Sequence, residues 1–282
     1  MRAHLLGVRG STPAPGPDFV RIGGHTSCVA IAHDGELPSL VLDAGTGIRN
    51  LTALLGPGVA FRGTILLGHL HWDHTQGLPF FVAGDRPESR VRLFLPEQGP
   101  SATEVLERFM SPPHFPIGPA DLGGNWTIDG LVAGQHRFEG FSVLALEIPH
   151  KGGRAFGFRV SDPDGGSLAY LSDHSPISLG PGPDGLGPYH ENALALARNV
   201  DVLVHDAQYT AEELPARAGY GHSAIDYPVG LAEAAGARSV VLFHHDPNRT
   251  DDQVEALTAG LAARSPLPVT AAVEGDVLDI GA

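Results

Sequence analysis

Apolar residues along this chain gather into short runs bounded by Gly, Pro, Asp or His. Runs that are continuously apolar or rich in β-branched residues predict strands at 4–8, 27–33, 39–44, 63–68, 90–96, 141–149, 155–161, 167–173, 201–207, 239–244 and 269–273. Helical periodicity falls between them, at 46–56, 101–110, 190–198, 227–236 and 251–264. In the last of these, Thr250 or Asp251 can cap the N-terminus ahead of an acidic first turn. Strands apolar along their whole length are buried on both faces. So many of them, with helices between, predict an α/β fold of two packed sheets with helices outside, although periodicity alone also admits a single doubly wound sheet. "STPAPGPDF" and "SLGPGPDGLGP" read as ordered surface loops, and neither separates stretches of different composition. With no repeat in the ~20–50-residue range, a single domain over 1–282 is expected.

Composition narrows the partners. Of 282 residues, 42% are hydrophobic, enough for a sizeable core. No apolar run approaches the ~20 residues of a membrane span, and the N-terminus lacks the ~7–15-residue apolar segment of a secretory signal. Cys28 is the single cysteine, which excludes an intrachain disulfide and a multi-cysteine zinc site. A cytoplasmic location is expected on these features. Lys+Arg number 18 against 32 Asp+Glu, a net charge of −14 without a basic cluster, so a long nucleic acid is an unfavourable partner. Bound divalent cations can still make one local site positive in an acidic protein.

The 15 histidines are the compositional oddity, and the places they take at strand ends give them meaning. "GHLHWDHTQG" sets His69, His71, Asp73 and His74 directly after one strand; His150, Asp173 and His244 each come after another. Imidazole and carboxylate are the donors that suit borderline divalent metals, and loops at one sheet edge converge. His69 and His71, spaced by two, can point together, while Asp73 and His74 face a second position. Seven donors exceed what one tetrahedral zinc needs, whereas two open-coordinate ions sharing a carboxylate use them all. The alternative is a polar loop of solvated histidines.

"HLHWDH" resembles the H-x-H-x-D-H signature of the metallo-β-lactamase fold, and the likeness runs from "VRGSTP" and "LDAGTGIRNL" to "LFHHDP". It implies a four-layer αββα sandwich. It also implies that His69, His71 and His150 hold one metal, that Asp73, His74 and His244 hold the other, and that Asp173 bridges them. His245 would not coordinate. Asp43, in "LDAG", would orient the cluster, or is a turn-forming carboxylate. "YGHSAID" is similar to the histidine loop of the ribonuclease Z and phosphoribosyl cyclic phosphodiesterase branch, which implies that His222 works beside the metals, paired with Asp206. Otherwise His222 caps or packs against the next helix. His205, within an apolar run, reads as a core histidine or as one supporting the ligands from behind. His25 lines the pocket or simply turns, and "PPHFP" at 112–116 is a substrate-covering loop or a rigid turn.

The expected function is a dinuclear metal-dependent hydrolase acting on a small or cyclic phosphodiester, a nucleotide or sugar phosphate. A hydroxide bridging the metals would attack phosphorus, Asp73 would orient it, and His222 with Asp206 would assist the leaving group. The missing arm that ribonuclease Z uses for transfer RNA, together with the acidic balance, argues for a small diester. Zinc is the expected metal, manganese or iron the alternatives, and a homodimer is the expectation by analogy. Lactone or thioester hydrolysis is the second reading, a non-catalytic metal-binding module the third.

Overall fold

The structure is a computed structural model describing residues 1–281; Ala282, the last position of the expected domain, lies outside the described residues. One sheet runs, in spatial order, β14 (Val277–Asp279), β1 (Arg2–Gly7), β2 (Cys28–Ala32), β3 (Leu40–Leu42), β4 (Arg62–Leu66), β5 (Arg90–Pro96) and β6 (Asn125–Leu131). The other runs β13 (Val269–Ala271), β12 (Val240–Phe243), β11 (Val202–Asp206), β10 (Ser167–Leu171), β9 (Ala155–Ser161), β8 (Phe141–Ile148) and β7 (Gly134–Phe138). Each is mixed. β3 to β6 pair parallel while β14, β1, β2 and β3 pair antiparallel; β10 to β13 are parallel and β7 to β10 antiparallel.

Side chains alternate across the pleat, so continuously apolar strands feed two cores at once. In β10, Leu168 and Tyr170 enter the core between the sheets, where Leu5, Val29, Leu42, Phe158 and Phe243 also lie. Ala169 and Leu171 face outward, beneath α4 (Glu191–Ala197) and α6 (Tyr227–Ala235). On the other sheet Ala30, Val41 and Leu93 turn outward against Ile48 and Leu51 of α1 (Ile48–Leu55) and Leu106 of α3 (Ala102–Glu107). Two mixed sheets with helices outside form the expected α/β sandwich.

Several boundaries tighten and some elements were not foreseen. The expected helix at 251–264 is α7 (Asp251–Ala262), entered through a capping box in which Thr250 and Gln253 bond each other's backbone N–H. β6 and β7 lie in a stretch not read as strand: β6 alternates apolar and polar residues, and β7 is mostly polar, so neither has a continuous apolar run. β14 is a three-residue edge strand with exposed ends. Two short helical turns, α2 (Trp72–Thr75) and α5 (Leu214–Arg217), are too brief for periodicity to reveal. Among the described residues no helix is long and apolar enough to cross a membrane.

Candidate metal centre

β4, β8, β10 and β12 end on the same edge of the sandwich, and the chemistry gathers there. β4 delivers His69 and His71 in an extended turn, and α2 then winds Asp73 and His74 back beneath them, with the His74 N–H donating to the His71 carbonyl at 3.1 Å. The "LDAG" turn clasps α2: Ala44 N–H donates to the His74 carbonyl and Gly77 N–H to the Ala44 carbonyl. That contact requires glycine. A Cβ on Gly45 would sit 2.1 Å from the Asp73 carbonyl oxygen, and one on Gly77 2.1 Å from the Gly45 carbonyl oxygen.

The predicted donors meet in two groups, His69, His71, His150 and Asp173, and Asp73, His74, Asp173 and His244, each with its donor atoms within 4.8 Å of one another. Asp173 belongs to both. Its Oδ2 lies 3.6 Å from His69 Nε2 and 3.6 Å from His150 Nε2, while its Oδ1 lies 3.0 Å from His74 Nε2 and 3.0 Å from His244 Nε2. Asp73 Oδ2 faces the second group, 3.1 Å from His244 Nε2.

The chemistry of these groups fits two divalent cations. His69 Nε2, His74 Nε2 and both Asp173 oxygens are buried and make no hydrogen bond, a costly arrangement for polar atoms unless something else engages them. Burial, with the neighbouring imidazoles, holds His69 and His71 below the ordinary histidine range and His150 down to about 4, so all three are neutral lone-pair donors. Asp73 and Asp173 go the other way. Burial opposes their charge, but the imidazoles of His74 and His244 outweigh it and hold both carboxyls well below the usual range. Neutral imidazole and ionised carboxylate are the forms that bind metal. His74 differs: burial opposes its charge, but Asp173, Asp73 and Asp43 outweigh burial and raise its pKa, so it would release a proton to bind an ion.

A supporting layer fixes these donors. Asp43, fully buried and at φ 60, is a turn residue and also a positioning one. Its Oδ2 accepts from His74 Nδ1 at 2.8 Å, the Tyr170 hydroxyl at 2.8 Å and the Ser172 hydroxyl at 3.1 Å, and its Oδ1 accepts from Gly68 N–H at 2.7 Å. Two further supports escaped sequence reasoning. Ser11, at φ 62, donates its backbone N–H to Asp73 Oδ2 at 2.7 Å, and the Gln208 amide oxygen meets His244 Nδ1 at 3.2 Å while its nitrogen donates to the Ser11 hydroxyl. Their only signal was position, in "VRGST" and just after "LVHDA" at strand ends.

His222 and Asp206 are brought together beside the cluster. Asp206 Oδ2 accepts from His222 Nδ1 at 3.0 Å and from the backbone N–H of His174 and Ser223, and its Oδ1 accepts from Gln208 N–H. The His222 ring stacks on His244, with centroids 5.0 Å apart. It lines a cavity of about 390 Å³ together with His71, Asp73, Asp173, Tyr209 and Tyr220. Asp206, His222 and His244 also bring donor atoms within 4.8 Å. In this trio the bond to Asp206 engages His222 Nδ1, and His222 meets His244 through ring stacking.

The remaining histidines separate cleanly. His205 is buried between His174 and the Asp206 carbonyl, and His245 bonds the Ala272 carbonyl, away from the donors. His25 pairs with Glu274 at 2.8 Å and lines a different groove. Residues 112–116 lie beyond α3, where His114 and Phe115 wall a groove next to the cavity.

Comparisons with known proteins bear on the family and the fold. A ribonuclease Z from Salinibacter ruber is 27% identical over 268 residues, spanning 78% of this chain and 79% of its own. The metallo-beta-lactamase fold protein YhfI from Bacillus subtilis superposes with a TM-score of 0.70 at 16% identity, covering 98% of each chain. Zn(2+)-bound PqqB from Methylobacterium extorquens superposes with a TM-score of 0.69 at 20% identity, covering 99% of this chain and 100% of its own. The Beta-lactamase superfamily domain matches residues 39–245, from the strand that leads into Asp43 to the one that delivers His244. With that match covering most of its length, the chain belongs to the beta-lactamase superfamily.

Proposed function

We propose that this metal-dependent hydrolase cleaves a small or cyclic phosphodiester, of a nucleotide or sugar phosphate, as one domain carrying two zinc ions. His69, His71 and His150 would hold one ion and Asp73, His74 and His244 the other, with Asp173 shared; donors without thiolate suit zinc, with manganese or iron as alternatives. Bound there, the ions supply an acidified water and counter-charge for phosphoryl oxygens. Asp73, steadied by the Ser11 N–H, orients the nucleophile.

The observation that carries the reading is the His222–Asp206 pair. Burial works against a proton on His222, but the adjacent, hydrogen-bonded Asp206 carboxylate outweighs it and raises the imidazole to about 9. A protonated imidazole lining the cavity can donate from Nε2 to a departing alkoxide. Lactone or thioester opening has less need of such an acid. The acidic chain and the cavity of about 390 Å³ favour a small diester. RNA is the second reading, favoured by relatives named ribonuclease Z. A cytoplasmic homodimer completes the proposal.

The test compares bis(p-nitrophenyl) phosphate with a lactone and a thioester, using metal-loaded wild type and His222→Ala. Diester turnover that a chelator abolishes, and that the variant loses by about 10²–10⁴-fold at unchanged metal content, is the expected result. Lactone or thioester cleavage without diester turnover would overturn it. Preferential cleavage of a transfer RNA precursor would shift the substrate to RNA.

A further inference from the structure

Trp72 stands between two residues of the metal cluster, His71 and Asp73, yet its indole is 73% exposed and its N–H has no partner among the described residues. A large aromatic left in water forgoes the gain of burial, and this one stands at the lip of the cavity that the candidate donors line. Phe80 is 55% exposed and meets Phe115 edge to face, with centroids 5.8 Å apart. Together they line a groove of about 500 Å³, which also presents Gln76, Arg108 and His114. Trp72 lines both this groove and the metal cavity, so the two adjoin at its ring.

We propose that this groove is a subsite for the base of the substrate, with Trp72 as the residue that selects for it. The argument rests on the phosphodiesterase reading for the ligand's class, since a diester held at the metal cavity sends one substituent across Trp72. Flat aromatic walls suit a planar ring, and Gln76, Arg108 and His114 offer hydrogen-bond groups to its polar edge. An alkyl chain would leave those groups idle. A bare sugar would cover less of the aromatic faces than a flat ring does. A purine or pyrimidine uses both.

The experiment titrates the metal-loaded protein calorimetrically with adenosine 5′-monophosphate and with ribose 5-phosphate, which lacks the base. Stacking predicts a preference of roughly 5- to 100-fold for the nucleotide. Tryptophan emission gives a second signal. Of the 2 tryptophans, Trp126 is held by the carbonyls of Gly84 and Gly123, so quenching by the nucleotide reports Trp72. Trp72→Leu should lose the quench and the preference. Phe80→Ala, at an exposed position, should reduce the preference while keeping the fold and metal content. Equal affinity for the two ligands, no binding of the nucleotide, or a preference surviving both variants would overturn the subsite. Base preference without turnover of any diester would leave the subsite standing and remove the phosphodiesterase reading instead. Diester turnover without base preference would do the reverse.

Discussion

Asp43 shows how much order one buried side chain can impose. Four donors converge on its two oxygens, and one of them, His74, belongs to the second group of candidate ligands. Tyr170 reaches it from the opposite sheet, its phenol kept protonated by burial and by Asp43 itself. An amide at this position keeps the shape but cannot accept every one of those bonds. Asp43→Asn should therefore weaken metal retention by about 10–100-fold, read as metal content after competition with a chelator, with the far-ultraviolet spectrum unchanged. Retention equal to wild type would make Asp43 a turn residue alone. The donors themselves were legible in the sequence because each sits one to eight residues past an apolar strand. Ser11 was not, because it acts through a backbone N–H that any residue but proline owns, and Gln208 was not, because an isolated amide carries no pattern.

At the level of elements, the tight packing of the "LDAG" turn on α2 decides whether the first four donors point correctly. A methyl on Gly45 would overlap the Asp73 carbonyl and crowd the Thr26 hydroxyl, so the turn must lift. Gly45→Ala should lower stability by about 1–3 kcal/mol through overpacking, seen in denaturant melts. It should also lower metal occupancy, since α2 moves with the turn. A variant with native occupancy would show the turn and α2 to be independent. Such contacts explain where sequence reasoning stops. Apolar runs such as those within 201–207 and 239–244 announce strands because both faces are buried. β7, "GQHRF", hides because only its end residue Phe138 is fully buried, and α2 hides because a single turn has no period.

Across the whole molecule the sheets are joined at two edges by different means. Opposite the metal centre, His33 at the end of β2 pairs with Asp162 past β9 at 2.7 Å, bonds the Glu139 carbonyl and stacks on Phe141 with centroids 3.9 Å apart. Burial disfavours the charged imidazole, yet the Glu139 carbonyl and Asp162 carboxylate outweigh it, so the pKa of His33 is raised. A raised histidine stabilises the fold fully below its unfolded value, near 6.5, and the contribution fades as pH climbs through the folded value. For Asp162 burial is again overcome, by the Asp164 N–H and by His33, so its pKa is lowered and its share fades only in acid. His33→Gln should then lower the melting temperature most near pH ~5–6 and progressively less towards pH ~8–9. A penalty independent of pH would mean that His33 acts by stacking alone.

At the other edge, each proposed cation position takes two donors from the first sheet and two from the second, counting Asp173 in both. Synthesis runs in one direction, so the two positions do not become available together. His69, His71, His150 and Asp173 have all left the ribosome once Asp173 emerges, while the partner position waits for His244, translated only after β11, α6 and β12. The chain direction thus supplies every donor of one proposed position, Asp173 included, before the last donor of the other.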